Sequence, residues 1–223
     1  MKNKYKYILL IWIIFFSTES CIKEECKING GEYMFIMPFT LTPAQKNYHI
    51  GDTIVISSNV SNPVYERVTK NYYTLEDFKF YLITSMYYMD TLINDYSDFN
   101  RFDLLIDSTF DMSIFTYSDG SSTLLGQYNY RNSQYSYEFK LIAKEKGRYL
   151  LTQGCDINYI NGGQYFEGKC QNVEVNARFY MNGRADNNSD LLKEASNENF
   201  KLYLNHLDAQ YLDYGGYCFK VID

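Results

Sequence analysis

The chain has 223 residues and a formal net charge of −6, and hydrophobic residues make up 46% of it. This length and apolar content predict a globular protein with its own hydrophobic core, and they exclude a disordered or collagen-like chain. The acidic balance argues against a nucleic-acid surface, which needs a basic patch to neutralise phosphates. We therefore expect no nucleic-acid partner.

The beginning of the chain has the composition of an export signal. Lys2, Lys4 and Lys6 precede an unbroken apolar run over residues 7–16. A membrane-spanning helix needs about 20 apolar residues, so this shorter run is typical of a signal peptide that is removed from the mature protein. We therefore predict that residues 1–20 are a signal peptide and that the mature chain lies outside the cytoplasm.

A small residue and a cysteine follow the apolar run. Ser20–Cys21 resembles the lipobox of bacterial lipoproteins, in which the cysteine thiol is acylated and the cysteine becomes the new N-terminus. Lys23, Glu24 and Glu25 resemble the signal that exports lipoproteins of the Bacteroidota to the outer face of the outer membrane. The resemblance implies a lipid anchor at Cys21, membrane lipid as a partner, and a tether over 21–32. An ordinary secretory signal with an incidental cysteine is the alternative.

Four cysteines remain beyond the anchor, and they are expected in an oxidising compartment, where disulfides persist. Four cysteines allow three pairings, which the sequence alone does not decide. Cys155 and Cys170 flank a turn-rich segment, so a disulfide across a hairpin is our first choice, and Cys26 would then pair with Cys218. A metal site is the alternative, but there is no Cys-x-x-Cys motif, so we predict no metal and no cofactor.

Much of the chain alternates between apolar and polar residues with a period of two, which is typical of half-buried antiparallel strands. The alternation is clean over 134–142 and 173–181 and weaker over 78–82, 149–151 and 217–221. Further strands are expected at 33–37, 53–58 and 113–117.

One segment before the last strand has helical spacing instead. Between residues 189 and 212 the apolar residues recur at intervals of three and four, as on one face of a helix. Asn188 or Ser189 can cap its start, and Gly215 follows its end. Residues 196–199 are expected to divide it into two short helices.

A further resemblance lies over residues 38–55. Pro38 to Ala44 forms a proline-bearing first strand, and His49 to Val55 contains a Gly-Asp-Thr-Ile turn into the next strand. Together they look like the opening of immunoglobulin-like modules in extracytoplasmic proteins of the Bacteroidota. The chain as a whole is similar to small surface lipoproteins of that phylum.

These patterns predict a mainly β protein, an antiparallel immunoglobulin-like β-sandwich with a short helical segment (about 189–212) before the last strand. One domain over 33–223 is the simplest organisation. A division into two sandwiches near 118–134 is the alternative.

The sequence contains no recognisable catalytic motif. Its two histidines, His49 and His206, lie near no Gly-x-Ser-x-Gly elbow, and there is no metalloprotease motif or phosphate-binding loop. We therefore predict no catalytic residues and a non-catalytic binding, adhesion or accessory role on the outer membrane, facing the cell exterior. The alternatives are an extracellular hydrolase that uses paired carboxylates and a pilus-type subunit that assembles by strand exchange.

Tyrosine, present in 24 copies, is the compositional anomaly. It combines a large apolar body with a polar tip and serves both strand faces and binding surfaces. Eight residues are the predicted binding tyrosines, for a glycan or protein ligand at the cell surface: Tyr72, Tyr73, Tyr87, Tyr88, Tyr128, Tyr130, Tyr135 and Tyr137. The alternative is that these tyrosines simply form strands.

Overall fold

The computed structural model describes residues 28, 31–92, 96–157 and 164–223. Within these ranges no helix is both long and apolar enough to cross a membrane. The strands are β1 (Glu32–Thr42), β2 (Asn47–His49), β3 (Thr53–Ser61), β4 (Val64–Tyr65), β5 (Tyr72–Tyr73), β6 (Tyr81–Tyr88), β7 (Phe102–Leu105), β8 (Met112–Thr116), β9 (Ser122–Gln127), β10 (Asn129–Arg131), β11 (Gln134–Ala143), β12 (Gly147–Asp156), β13 (Glu174–Met181) and β14 (Tyr217–Ile222).

The strands form two six-stranded sheets that pack as a sandwich, with β4 and β5 as a separate ribbon. The first sheet has the order β10-β11-β3-β1-β13, with β7 also paired to β11, and the second has the order β2-β14-β12-β6-β9-β8. The predicted mainly β sandwich is therefore confirmed. Two strand pairs, β1 with β13 and β2 with β14, are parallel within this otherwise antiparallel arrangement.

The core lies between the two sheets and is built from alternate residues of each strand. The odd-numbered residues of 135–141 and 175–181 are all buried, as the alternation predicts. Many of them are aromatic, and their rings meet edge to face. Phe39 of β1 and Phe179 of β13, for example, have ring centroids 5.7 Å apart.

The predicted helical segment is present before β14 and consists of several short turns. They are a 3₁₀ helix at Ser189–Glu194, α1 at Glu198–Lys201, a second 3₁₀ helix at Leu202–His206 and a π-helical turn at Leu207–Leu212. The side chain of Asn197 caps α1 by accepting a hydrogen bond from the Asn199 amide at 2.9 Å, which explains the break that the sequence predicts here.

This helical segment covers one half of the outer face of the second sheet. Leu191, Leu192 and Phe200 pack with Leu150 of β12 in a second apolar cluster. Tyr211 anchors the same cluster: it is fully buried, and its hydroxyl donates to the Asn187 carbonyl at 2.5 Å and accepts from the Cys218 amide at 3.1 Å. The other half of this face has no such cover in the described part of the chain.

The cysteines do not form the predicted pairs. Cys155 and Cys218 are both free, so neither the Cys155–Cys170 nor the Cys26–Cys218 disulfide is formed. The reason is topological, because β12 and the strand that follows it belong to different sheets and do not form a hairpin. Cys155 therefore lies in the second sheet, whereas the Cys170 amide donates to the hydroxyl of Tyr33 on β1 in the first. Burial raises the pKa of the Cys155 thiol and raises that of Cys218 to about 12.

Candidate functional site

The uncovered half of the second sheet presents ordered rows of side chains, because the strand register places residues of four neighbouring segments side by side. The first row is polar and runs through Asp156, Tyr81, Gln127 and Asp111. The next row is smaller and more apolar and runs through Gly154, Ile83, Leu125 and Ser113. Since neighbouring residues of a strand point to opposite faces and the residues between these are in the core, both rows face outward.

These rows border a cavity of about 370 Å³, which we call the edge cleft. Its outer wall is made by Phe115 of β8 and by Tyr117, whose ring centroids lie 4.8 Å apart in an edge-to-face arrangement. Both rings are 48% exposed. The residues that line the edge cleft are Tyr81, Leu82, Ile83, Asp111, Ser113, Phe115, Tyr117, Leu125, Gly126, Gln127 and Asp156. A mostly apolar cavity with a few polar groups is typical of a binding site.

The edge cleft is acidic. Asp111 and Asp156 line it, and none of its described lining residues is a Lys, Arg or His. The sequence around it has the same bias, because residues 102–130, which include β7, β8 and β9, contain four Asp and no Lys, Arg or His. The site therefore attracts cations and repels anions.

Two further carboxylates of this stretch flank β8. The amide of Thr109 donates to Asp107 at 2.8 Å, and the hydroxyl and amide of Ser121 donate to Asp119 at 2.7 and 2.9 Å. These hydrogen bonds lower the pKa of both carboxyl groups. Both groups consequently stay negatively charged at neutral pH and add to the acidity of this edge.

The predicted binding tyrosines do not form one surface. Tyr128, Tyr135 and Tyr137 are buried between the sheets, so their assignment to a ligand surface is wrong. They lie on inward faces, and burial raises the pKa of all three hydroxyls. The Tyr128 hydroxyl donates to Ser58 at 2.6 Å and that of Tyr135 donates to the Leu75 carbonyl at 2.5 Å, so both serve the core.

The other five tyrosines are spread over the molecule. Tyr130 packs on the buried Tyr135, and Tyr72 and Tyr73 lie on the β4–β5 ribbon. Tyr87 lies under Phe200 of the helical segment, with 5.9 Å between ring centroids, while the guanidinium of Arg101 lies 4.0 Å from the ring centroid of Tyr88. Because these contacts are separate, they support the alternative interpretation, in which most of these tyrosines have a structural role.

The sequence patterns do not identify the residues of the edge cleft as a site. Phe115 falls within the strand predicted at 113–117, but its exposure depends on where the helical segment packs. The neighbouring strand β9 begins with small polar residues and contains Gly126, so it shows no alternation. Gly126 is required there because a Cβ atom would approach the ring of Tyr137 to 2.9 Å. The absence of basic residues over 102–130 is the signal that could have found the site.

The strand register places the two aspartates of the edge cleft far apart along the polar row. Asp111 and Asp156 are at opposite ends of this row, three inter-strand spacings apart, so about 14 Å separates their backbones. Glycosidases hold their two carboxyl groups about 5 to 9.5 Å apart. Among the described residues, no three His, Cys, Asp or Glu side chains are grouped to hold a metal ion. The arrangement is suited to binding.

No protein-family model and no curated protein sequence matches the chain. Among solved structures, the human F-spondin reeler domain is 8% identical over 65% of this chain and 90% of its own, with a TM-score of 0.33. A non-cellulosomal cohesin from the hyperthermophilic archaeon Archaeoglobus fulgidus is 11% identical over 86% of this chain and 92% of its own, with a TM-score of 0.34. A type II cohesin domain from the cellulosome of Acetivibrio cellulolyticus is 7% identical over 64% of this chain and 91% of its own, with a TM-score of 0.31. These scores support no argument about function.

Proposed function

We propose that this protein is a non-catalytic binding module, anchored by lipid to the outer membrane and displayed at the cell surface. The observation that carries the binding role is the edge cleft, a cavity that none of the described segments covers and that has exposed aromatic rings and carboxylates. Large exposed apolar side chains that cluster beside polar groups mark interaction sites on soluble domains. The wide separation of Asp111 and Asp156 favours this role over the carboxylate hydrolase.

The proposed location rests on the sequence. Cys21, the apolar run at 7–16 and the Lys23-Glu24-Glu25 signal lie outside the described residues, and their resemblance to lipoprotein signals supports an anchor at Cys21. The sandwich begins at Glu32, so a short tether would separate the anchor from the binding module. One acyl chain binds a membrane only weakly and reversibly. Stable retention in the outer membrane therefore requires that Cys21 carry more than one acyl chain.

Replacing the anchor residue tests the location. We expect Cys21→Ala to abolish incorporation of radiolabelled palmitate and to release the protein from the outer membrane, because the variant has no thiol to acylate. Palmitate labelling and membrane fractionation of the full-length protein measure the two effects. Cys26→Ala, which removes a different thiol and leaves Ser20 and Cys21 in place, is the control. Retention of Cys21→Ala in the membrane fraction would contradict the anchor.

Removing an exposed ring of the edge cleft tests the binding role. The purified sandwich is applied to glycan and peptide arrays, and Phe115→Ala is compared with the unchanged protein. We expect Phe115→Ala to lose signal on the ligands that the unchanged protein binds, because it removes half of the aromatic wall. Tyr72→Ala is the matched control, since Tyr72 is exposed on the separate β4–β5 ribbon and does not line the edge cleft. An array on which both variants bind like the unchanged protein would exclude the edge cleft as the binding site.

A further inference from the structure

Strand β8 is an open edge of the second sheet. Its order places β8 last, with β9 on one side and no described strand on the other. The Tyr117 amide donates to the Ser121 carbonyl at 2.8 Å and the Gln127 amide to the Asp111 carbonyl at 3.0 Å. Because antiparallel strands alternate their hydrogen-bonding direction, the odd-numbered residues of 111–117 bond to β9, and the N–H and C=O groups of Met112, Ile114 and Thr116 point to the open edge.

This edge lacks the usual protection against strand addition. Edge strands are normally blunted by Lys, Pro or inward-pointing charges. The sequence of β8, Met-Ser-Ile-Phe-Thr, has none of these, and Ile114 and Phe115 are 40% and 48% exposed. A row of free backbone groups beside exposed apolar side chains is a template for one more strand.

The other long edge of the sandwich is different. On β13, the amide of Phe179 already donates to the Asp213 carbonyl at 3.0 Å, and Arg178 lies over the ring of Tyr214. The remaining edge strands, β2, β7 and β10, have three or four residues. Among the described strands, β8 therefore combines length, exposed apolar side chains and a free backbone edge.

The charge around β8 selects the occupant. Asp107, Asp111 and Asp119 border the edge, and no basic residue occurs between Arg101 and Arg131. An added strand would lie about 4.8 Å from β8, so its side chains would be next to those of Phe115 and Asp111. Opposite charges in neighbouring strands attract and like charges repel, so a basic strand fits and an acidic one does not.

We propose that the edge cleft binds an extended, basic peptide segment of a partner protein, which pairs with β8 as an additional strand. This inference deepens the proposed binding function and rests on it. The main chain of the peptide bonds to Met112, Ile114 and Thr116, which gives affinity. Alternate Lys or Arg side chains lie beside Asp111 and over the ring of Phe115, which gives specificity through charge and cation–π contacts. A glycan would use the aromatic rings but leave this backbone edge unpaired.

Defined synthetic peptides test the proposal. The probe is a peptide in which Lys alternates with Val, and its two controls are the same peptide with Glu in place of Lys and the same peptide with alternate backbone nitrogens methylated. We expect the Lys peptide to bind in calorimetric titrations and its affinity to fall as salt is added. The Glu peptide should bind at least about tenfold more weakly, and so should the methylated one, which cannot donate to the edge.

Two variants of the protein complete the test. Ile114→Pro removes an N–H that points to the open edge and no N–H that bonds to β9, so the sheet should fold while peptide binding is lost. Asp111→Asn should weaken binding of the Lys peptide and reduce its salt dependence. Asp103→Asn, which removes a charge of the same stretch from β7 in the other sheet, should leave binding unchanged. Thermal unfolding of each variant confirms that it is folded.

Several results would overturn the proposal. Equal binding of the methylated and unmethylated peptides would show that the backbone edge is not used, and equal binding of the Glu peptide would exclude charge selection. Self-association that Ile114→Pro abolishes, measured by sedimentation, would make a second copy the occupant. If the arrays yield glycans that require Phe115 while no peptide binds, the binding function stands and this inference fails. If no ligand requires Phe115, both fail.

Discussion

Replacing Glu66 with glutamine is expected to lower the free energy of unfolding by about 3 kcal/mol, because buried hydrogen bonds to a charged group are strong and costly to leave unpaired. Glu66 is fully buried, between β4 and β5. Its carboxylate accepts from the amides of Met34, Val68 and Thr69 at 2.6–2.8 Å and from the Thr69 hydroxyl at 2.6 Å. A glutamine amide would turn an N–H₂ donor toward some of these donors. Chemical denaturation measures the loss.

The same variant should change the acid sensitivity of the protein. Burial by itself raises the pKa of Glu66, but the hydrogen bonds from Thr69, Val68 and Met34 outweigh it, and the pKa is lowered overall. A carboxyl group with a lowered pKa in the folded state stabilises the protein above its unfolded pKa of about 4.3, and this stabilisation is lost as the pH falls through the folded pKa. The stability difference between the two proteins should therefore be full at neutral pH and shrink in acid.

The exposed Glu76 supplies the matched control for this prediction. Glu76→Gln removes the same charge, but Glu76 is exposed on the chain that follows β5, so its stability should change by less than about 0.5 kcal/mol. Equal losses in Glu66→Gln and Glu76→Gln would show that the hydrogen-bond network around Glu66 contributes little. A stability difference that persists unchanged at low pH would show that the carboxylate charge is not the cause.

Replacing Gly216 with alanine is expected to loosen the helical segment 189–212 and to lower the unfolding free energy by about 2 kcal/mol, because extra atoms in a packed site force strain. A Cβ atom at Gly216 would lie 2.4 to 2.7 Å from ring atoms of Tyr211. This ring is fully buried and held by Asn187 and Cys218, so it cannot move away freely. Hydrogen exchange should therefore increase over residues 189–212.

A second glycine separates steric strain from the general effect of a methyl group. Gly154 lies on β12, where a Cβ atom would meet its neighbours at 3.6 and 3.8 Å, which is ordinary contact. Gly154→Ala should therefore leave the melting temperature unchanged or raise it slightly, since alanine reduces the entropy of the unfolded chain. If Gly216→Ala melts like Gly154→Ala and exchanges no faster over 189–212, the ring of Tyr211 does not constrain this position.

The sequence carries the local part of the fold. Period-two alternation identifies β11 and β13 and the faces that they bury, since a strand with one face in a core needs apolar residues at every second position. The helical segment is recognisable in the same way, and so is its division at Asn197, whose side chain caps α1. These features depend on residues that are close together in the chain, so they can be predicted from the sequence alone.

The remaining features depend on contacts between distant residues. The parallel pairing of β1 with β13 joins residues about 140 positions apart, as in Phe35 opposite Ala177, and no local pattern encodes it. Glu66 lies next to Arg67, so the sequence predicts a surface residue. It is buried instead, where it accepts a hydrogen bond from the Met34 amide of another strand. The aromatic wall of the edge cleft is exposed because the helical segment ends short of it. Sequence alternation cannot distinguish this face from a covered one.

The position of β1 has a mechanical consequence for the proposed anchor at the N-terminal end. All eleven residues of β1 have a partner, the first eight on β13 and the last three on β3. A pull on Glu32 along the strand, as from a tether to the membrane, would strain these hydrogen bonds together rather than one after another. Force along the proposed tether would thus be borne by the whole length of β1 and by its two partner strands.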